Sequence, residues 1–128
     1  MKYEGKILLV DDEAHVRKFI GLILKQLGAT TIFEAPNGKE AVEIYQRESP
    51  NLILLDVNMP IQDGIQTLRE IRALSSECAI VMLTSLANRQ TVEEALSLGA
   101  DNYIRKDTPK DEILAALRQT IAECFTAE

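Results

Sequence analysis

Glycine and proline are scarce in this chain, at six Gly and four Pro among 128 residues. That is about 8% against roughly 12% in average proteins, which argues against collagen-like repeats, low-complexity tracts and long structureless loops. Cysteine is sparse too. Cys78 and Cys124 stand without CxxC spacing and without a neighbouring histidine, so no zinc site is indicated and both thiols are expected to be reduced and structural. Long apolar runs are missing. The longest uncharged one, Cys78 to Ala87, falls well short of the ~18 residues of a membrane span. After Lys2 and Lys6 the first apolar run is only Ile7 to Val10, shorter than the about 7 to 15 residues of an export signal. The expectation is a cytoplasmic chain with no membrane contact. Positive charge is also in short supply: 14 Lys and Arg against 20 Asp and Glu leave a net charge of -6. That balance argues against direct nucleic-acid binding, which needs clustered cations, and favours basic partners or metal cations. Neither GxGxxG nor a P-loop occurs, which leaves a nucleotide-binding domain without its motif.

What remains is an ordinary globular composition, 46% hydrophobic and 27% charged. Its length suits one domain over residues 1–128, with a core at about 5–123. Lys6 to Val10 is a short apolar run of the kind buried on both faces of a parallel sheet. Val16, Phe19, Ile20, Ile23, Leu24 and Leu27 then place apolar residues along one helix face until Gly28 stops it. The pattern repeats. Extended Thr30 to Glu34 precedes a helix over Lys39 to Glu48, and Asn51 to Leu55 precedes a Pro60 and Gly64 loop and a helix through Leu74. Ala79 to Leu83 is followed by a helix carrying Val92, Ala95 and Leu96 up to Gly99. Asp101 to Arg105 is a last short strand. Thr108, Pro109 and Asp111 read as N-cap, N1 proline and N3 carboxylate of a final helix burying Ile113, Leu114, Leu117 and Ile121. Strict alternation of five strands and five helices with short connections implies parallel pairing, right-handed crossovers and helices on both faces. The predicted fold is a doubly wound α/β domain with a five-stranded parallel sheet, for which 2-1-3-4-5 is one of the common strand orders.

Ligands of such sheets bind beyond the carboxyl ends of the strands. The residues at those ends are reactive here. The first strand ends in Asp11 and Asp12, the third in Asp56, the fourth in Thr84 and Ser85, and the fifth in Lys106; the second contributes no obvious chemistry. If the first and third strands are neighbours, as in the order 2-1-3-4-5, three carboxylates converge. Two unit charges about 5 Å apart repel by about 3 kcal/mol at an effective dielectric near 20, so the cluster calls for a divalent cation. Oxygen ligands without His or thiolate suit Mg²⁺ better than Zn²⁺. Taken singly, each residue has a plain explanation: an aspartate at a strand-to-helix turn caps the helix, a threonine suits a strand, a lysine is a solvated charge. Their shared edge is the argument. With a hydroxyl and an ammonium opposite, Asp56 is the natural nucleophile toward a phosphoryl group. His15 lies off the apolar stripe and is expected to be exposed and inert, while Met59 and Met82 are expected to pack.

The acidic pair, Asp56 in ILLDVNMP, Gly64, Thr84 with Ser85, and Lys106 in GADNYIRK together resemble response-regulator receiver domains of the CheY type. The likeness covers about 5–123, with separations of 44 from Asp12 to Asp56, 28 from Asp56 to Thr84 and 22 from Thr84 to Lys106. The resemblance implies a two-component phosphorelay in which Asp56 accepts phosphate from a histidine kinase or phosphotransfer protein. It implies Mg²⁺ held by Asp12, Asp56 and the Asn58 carbonyl, with Asp11 acting through water. Lys106, Thr84 and the Asn58 and Ser85 amides would hold the phosphoryl oxygens. Tyr103 would turn inward as the switch, reshaping the face of the fourth helix, fifth strand and fifth helix for a downstream partner or output domain. A monomer, or a weak dimer on phosphorylation, is the implied assembly. Where the family often has a cis proline after the lysine, this chain has Asp107, so the bond is either trans with a shifted loop or held strained. The alternative function is a small Mg²⁺-dependent phosphatase or phosphotransferase with an aspartyl nucleophile. Such haloacid-dehalogenase-like enzymes place a second Asp two residues on, where this chain has Asn58.

In the resembled family, positions two after the acceptor and two after the threonine, here Asn58 and Leu86, tune phosphoryl lifetime. An apolar Leu86 cannot orient a hydrolytic water, so Leu86→Glu is expected to shorten the lifetime of a phosphorylated chain, measured as loss of labelled phosphate with time. Unchanged decay would remove this role.

Overall fold

The computed structural model describes residues 5–29, 31–57, 59, 63–75, 77–85 and 89–124. Its elements run β1 (Lys6–Val10), α1 (Ala14–Gln26), β2 (Thr31–Ala35), α2 (Gly38–Glu48), β3 (Leu52–Asp56), α3 (Gly64–Leu74), β4 (Ala79–Thr84), α4 (Arg89–Ser97), β5 (Asn102–Arg105) and α5 (Lys110–Cys124). The strands pair in parallel, as the alternation predicts, and their order is β2-β1-β3-β4-β5. The reversal of winding between β1 and β3 sets Val10 beside Leu55 and so brings the ends of these strands together.

Period-two alternation splits the core into two layers. Ile7 and Leu9 face Ile20, Ile23 and Leu24 of α1 and Ile113 and Leu117 of α5. Leu8 and Val10 face Ala41 and Tyr45 of α2, Leu68 and Ile71 of α3 and Ala95 of α4. Every residue of β3 and β4 is buried, which is why their sequences are unbroken apolar runs. Each fully buried Leu or Ile stabilises the fold by about 1.5 to 3 kcal/mol relative to exposure. Gly28 and Gly99, at φ of 100° and 111°, end α1 and α4 in the left-handed region where a side chain is costly.

Several local expectations shift by a residue or in burial. Phe19 is 42% exposed rather than part of the buried face of α1. At 100° per residue it lies roughly a quarter-turn from the centre of the stripe formed by Ile20, Ile23, Leu24 and Leu27. β2 extends one residue beyond Glu34, because Ala35 still pairs with Val10; Thr30 lies outside the described residues. β5 starts at Asn102, since the Asp101 carboxylate is engaged by the Ile80 amide at 2.9 Å and by Arg72 at 3.0 Å. α5 starts at Lys110 because the Pro109 carbonyl is already the first acceptor, receiving the amides of Glu112 and Ile113 at 3.0 Å each.

Gly64 matters to the site. Its amide donates to the Val57 carbonyl at 2.9 Å, and a Cβ there would overlap the Asp56 carbonyl oxygen. The start of α3 can approach the end of β3 only without a side chain. Gly64→Ala is therefore expected to cost about 1 to 3 kcal/mol through overpacking, measured by urea unfolding. Gly21 inside α1 has nothing within 4 Å of a would-be Cβ, so Gly21→Ala should stabilise by roughly 0.5 to 1 kcal/mol. A harmless Gly64→Ala would show that this close approach is not required.

Candidate functional site at the carboxyl edge of the sheet

β1 delivers Asp11 to the sheet edge, where its amide donates to the Ala35 carbonyl at 3.1 Å and its side chain is fully buried. Asp11 Oδ1 accepts from the Glu13 amide at 2.9 Å, which closes the turn into α1. Asp12, one residue on, is exposed. β3 ends in Asp56, which is 2% exposed and pairs in register with Leu83 of β4. Asp11, Asp12 and Asp56 each offer a carboxylate oxygen, and these oxygens lie within 4.8 Å of one another.

Lys106 reaches the cluster from beyond β5. Its amide donates to the Thr84 carbonyl at 2.8 Å, extending the β4–β5 ladder and aiming the side chain across the edge. Its Nζ lies 2.8 Å from Asp11 Oδ2, 3.1 Å from Asp56 Oδ1 and 3.8 Å from Glu13 Oε1. One ammonium thus serves Asp11, Asp56 and Glu13, with Asp12 clustered beside the first two, so acids outnumber the cation. The donors are all oxygens, the set a hard divalent cation prefers over zinc. The residues present therefore fit a bound cation of that class.

Burial pushes the Asp56 carboxyl up to about 7, the Asp11 charge adds to the rise, and Lys106 opposes it. For Lys106, burial disfavours the charge, but the hydrogen bond to Asp11 and the charge of Asp56 outweigh it and hold the ammonium above its usual range. Thr84 is buried at the end of β4 beside this group, with Ser85 exposed just after it. Tyr103 is 41% exposed on β5, where it lines a shallow cavity of about 350 Å³ with Arg105, Thr108 and Glu112, apart from the carboxylates. Asn58 and Leu86 lie outside the described residues. No cis peptide occurs among the described residues, so Lys106 and Asp107 are joined in trans. Asp107 instead takes both Nε and Nη2 of Arg105, at 3.2 and 3.0 Å. His15 is exposed, Met82 buried and Met59 half-buried, as expected. Cys78 and Cys124 are free thiols.

Sequence reasoning missed Glu13 and Arg17. Glu13 adjoins the acidic pair and faces Lys106; adjacency was its only signal. Arg17 donates to the Asp11 carbonyl at 2.6 Å and had no signal, because a contact to a backbone atom leaves no pattern in the sequence.

The sheet order and the acidic, lysine-clamped cluster at the reversal of winding define a doubly wound domain with its site at the switch point. The chain belongs to the family described as response regulator receiver domain, whose model matches residues 7–118. It is 37% identical over 116 residues to the chemotaxis protein CheY of Bacillus subtilis strain 168, covering 91% of this chain and 97% of that one. It is 36% identical over 117 residues to the nitrate/nitrite response regulator NarL of Escherichia coli K12. That match covers 91% of this chain and 54% of NarL, so the chain spans about half of that relative. Among solved structures it resembles one titled as the CheX-CheY-BeF3-Mg complex from Borrelia burgdorferi, at 28% identity, with a TM-score of 0.85, covering 95% of this chain and 90% of that one. The chain is thus a response-regulator receiver of two-component signalling, similar to signalling proteins rather than to classical enzymes. Among the described residues no helix is long and apolar enough to cross a membrane.

The raised Asp56 carboxyl has a thermodynamic consequence. Between its unfolded value of 3.8 and about 7, the folded chain keeps a proton that the unfolded chain has released. Rising pH across that window therefore favours unfolding, by an upper bound of about 4 kcal/mol without metal. Metal-free protein should be less stable at pH 8 than at pH 5.5, and Asp56→Asn should flatten the difference, measured by urea unfolding at both pH values. An equally steep dependence in the variant would assign it to other groups.

Proposed function

We propose that the chain is a single receiver domain with its core at about 5–123, and that Asp56 is its phosphoacceptor. The observation that carries this reading is the buried Asp56 carboxylate held between Asp11 and Lys106 at the open edge of the sheet. Asp12, Asp56 and the Asn58 carbonyl would hold Mg²⁺, with Asp11 through water; the ion, when bound, neutralises charge on the transferring phosphoryl group. The Asp56 carboxylate attacks phosphorus, the P–N bond of a phosphohistidine on the donor kinase or phosphotransfer protein breaks, and the imidazole leaves. An acyl phosphate results. Asp56 must be ionised to attack, and Lys106 favours that form while also pairing with the arriving oxygens. Thr84, with the Asn58 and Ser85 amides, supplies further donors.

The new group brings about two negative charges and three acceptors, enough to draw Thr84 and Lys106 into a different arrangement. Tyr103 follows Thr84, and the face made by α4, β5 and α5 changes for a downstream protein or an output domain. Asn58 and Leu86 set how long the phosphate lasts. A cytoplasmic monomer, pairing weakly when phosphorylated, completes the reading. Supporting it are the CheY and NarL relatives and the solved CheX-CheY complex with BeF3 and Mg.

Incubation with acetyl phosphate and Mg²⁺ tests it. The expected result is one acid-stable, base-labile phosphate per chain, abolished by Asp56→Ala and by chelation. Release of many phosphates per chain would instead identify the aspartyl phosphatase.

A further inference from the structure

Helices α2 and α3 open with side-chain caps: Asn37 Oδ1 accepts from the Glu40 amide at 2.9 Å, and Asp63 Oδ1 from the Gln66 amide at 2.8 Å. α1 differs. Its N-cap residue, Glu13, makes no side-chain cap and its first turn holds no acidic residue, although the N-cap forms part of the acidic loop. An uncapped helix start is prone to fray, and fraying here would move Asp11 and Asp12.

Another device holds this loop. Arg17, one turn into α1, reaches back so that its Nη1 donates to the Asp11 carbonyl at 2.6 Å. Its Nε donates to Glu34 Oε1 at 3.0 Å, and the Arg17 side chain is only 18% exposed. Glu34 stands one residue before the end of β2, and the next residue, Ala35, accepts the Asp11 amide at 3.1 Å. Both backbone polar groups of Asp11 are thus tied to the end of β2. The strand that brings no side chain to the acidic cluster supplies its anchorage.

We propose that Arg17, held by Glu34, is a positioning residue for the acidic loop, keeping Asp11 and Asp12 at the spacing at which they share a divalent cation with Asp56. The inference rests on the cation-site reading above. It gives a sign that simple electrostatics does not. Removing a positive charge that sits against the acidic loop should by itself tighten cation uptake, whereas losing the brace should weaken it.

The test titrates Mg²⁺ into the full chain at pH 8, following amide shifts by NMR, for wild type, Arg17→Met, Arg17→Lys and Lys18→Met. Arg17→Met is expected to weaken Mg²⁺ binding about tenfold, as loss of an outer-shell partner does. Arg17→Lys keeps the charge but not the two-armed grip, and should weaken it too. Lys18→Met removes an equal charge from an exposed neighbouring position and should leave binding unchanged or slightly tighter. In metal-free protein, exchange of the Glu13 amide should rise about tenfold more than exchange of β3 amides in Arg17→Met. Unchanged or tighter binding in Arg17→Met, or Glu13 exchange that merely tracks β3, would overturn the brace. If wild type takes up no Mg²⁺, the cation-site reading fails, and the exchange measurement alone decides whether Arg17 holds the loop.

Discussion

A lysine ammonium set between two buried aspartates at the end of a parallel sheet is the constraint on which the rest of this structure depends. Lys106 lies 2.8 Å from Asp11 and 3.1 Å from Asp56, both almost wholly removed from water. Charges so placed are costly unless paired, and here pairing is incomplete: acids outnumber the one cation among them. Burial, with the Asp11 charge adding to it, pushes the Asp56 carboxyl up to about 7. In the function proposed above, a hard cation and the phosphoryl group that accompanies it would relieve this incomplete pairing. Stability is surrendered at this edge and supplied elsewhere, by the two apolar layers packed on β3 and β4.

The fold makes that arrangement with short-range means. Parallel register aligns the ends of β1 and β3, and the β4–β5 ladder runs on through the Lys106 amide to the Thr84 carbonyl. Gly64 lets α3 begin against the Asp56 backbone, and Arg17 with Glu34 ties the acidic loop to β2. Each contact fixes backbone next to a reactive side chain rather than the side chain itself. An edge built this way can hold carboxylates close together against their repulsion and still leave Asp12 and Ser85 open to solvent.

Much of this was legible in the amino-acid order, for identifiable reasons. Runs such as KILLV, NLILL and AIVML are continuous because both faces of their strands are covered, and glycines mark the ends of α1 and α4 because the chain turns left-handed there. Acids, a threonine and a lysine at successive strand ends then mapped the site. What escaped depended on angles and on backbone partners. Phe19 fits a helical repeat yet lies a quarter-turn off the buried stripe, a distinction that spacing rules blur. Arg17 contacts a carbonyl, which every residue has, so no residue pattern announces it. The trans bond before Asp107 depended on a choice between isomers that side-chain identity left open.

The most direct test is the titration of the Asp56 side-chain carboxyl carbon by NMR, with and without Mg²⁺. A crowded, buried carboxylate predicts a midpoint near pH 7 in metal-free protein and a lower one when Mg²⁺ is added. A midpoint near 4 under both conditions would mean that neither burial nor Asp11 acts on Asp56, and would contradict the account at its root.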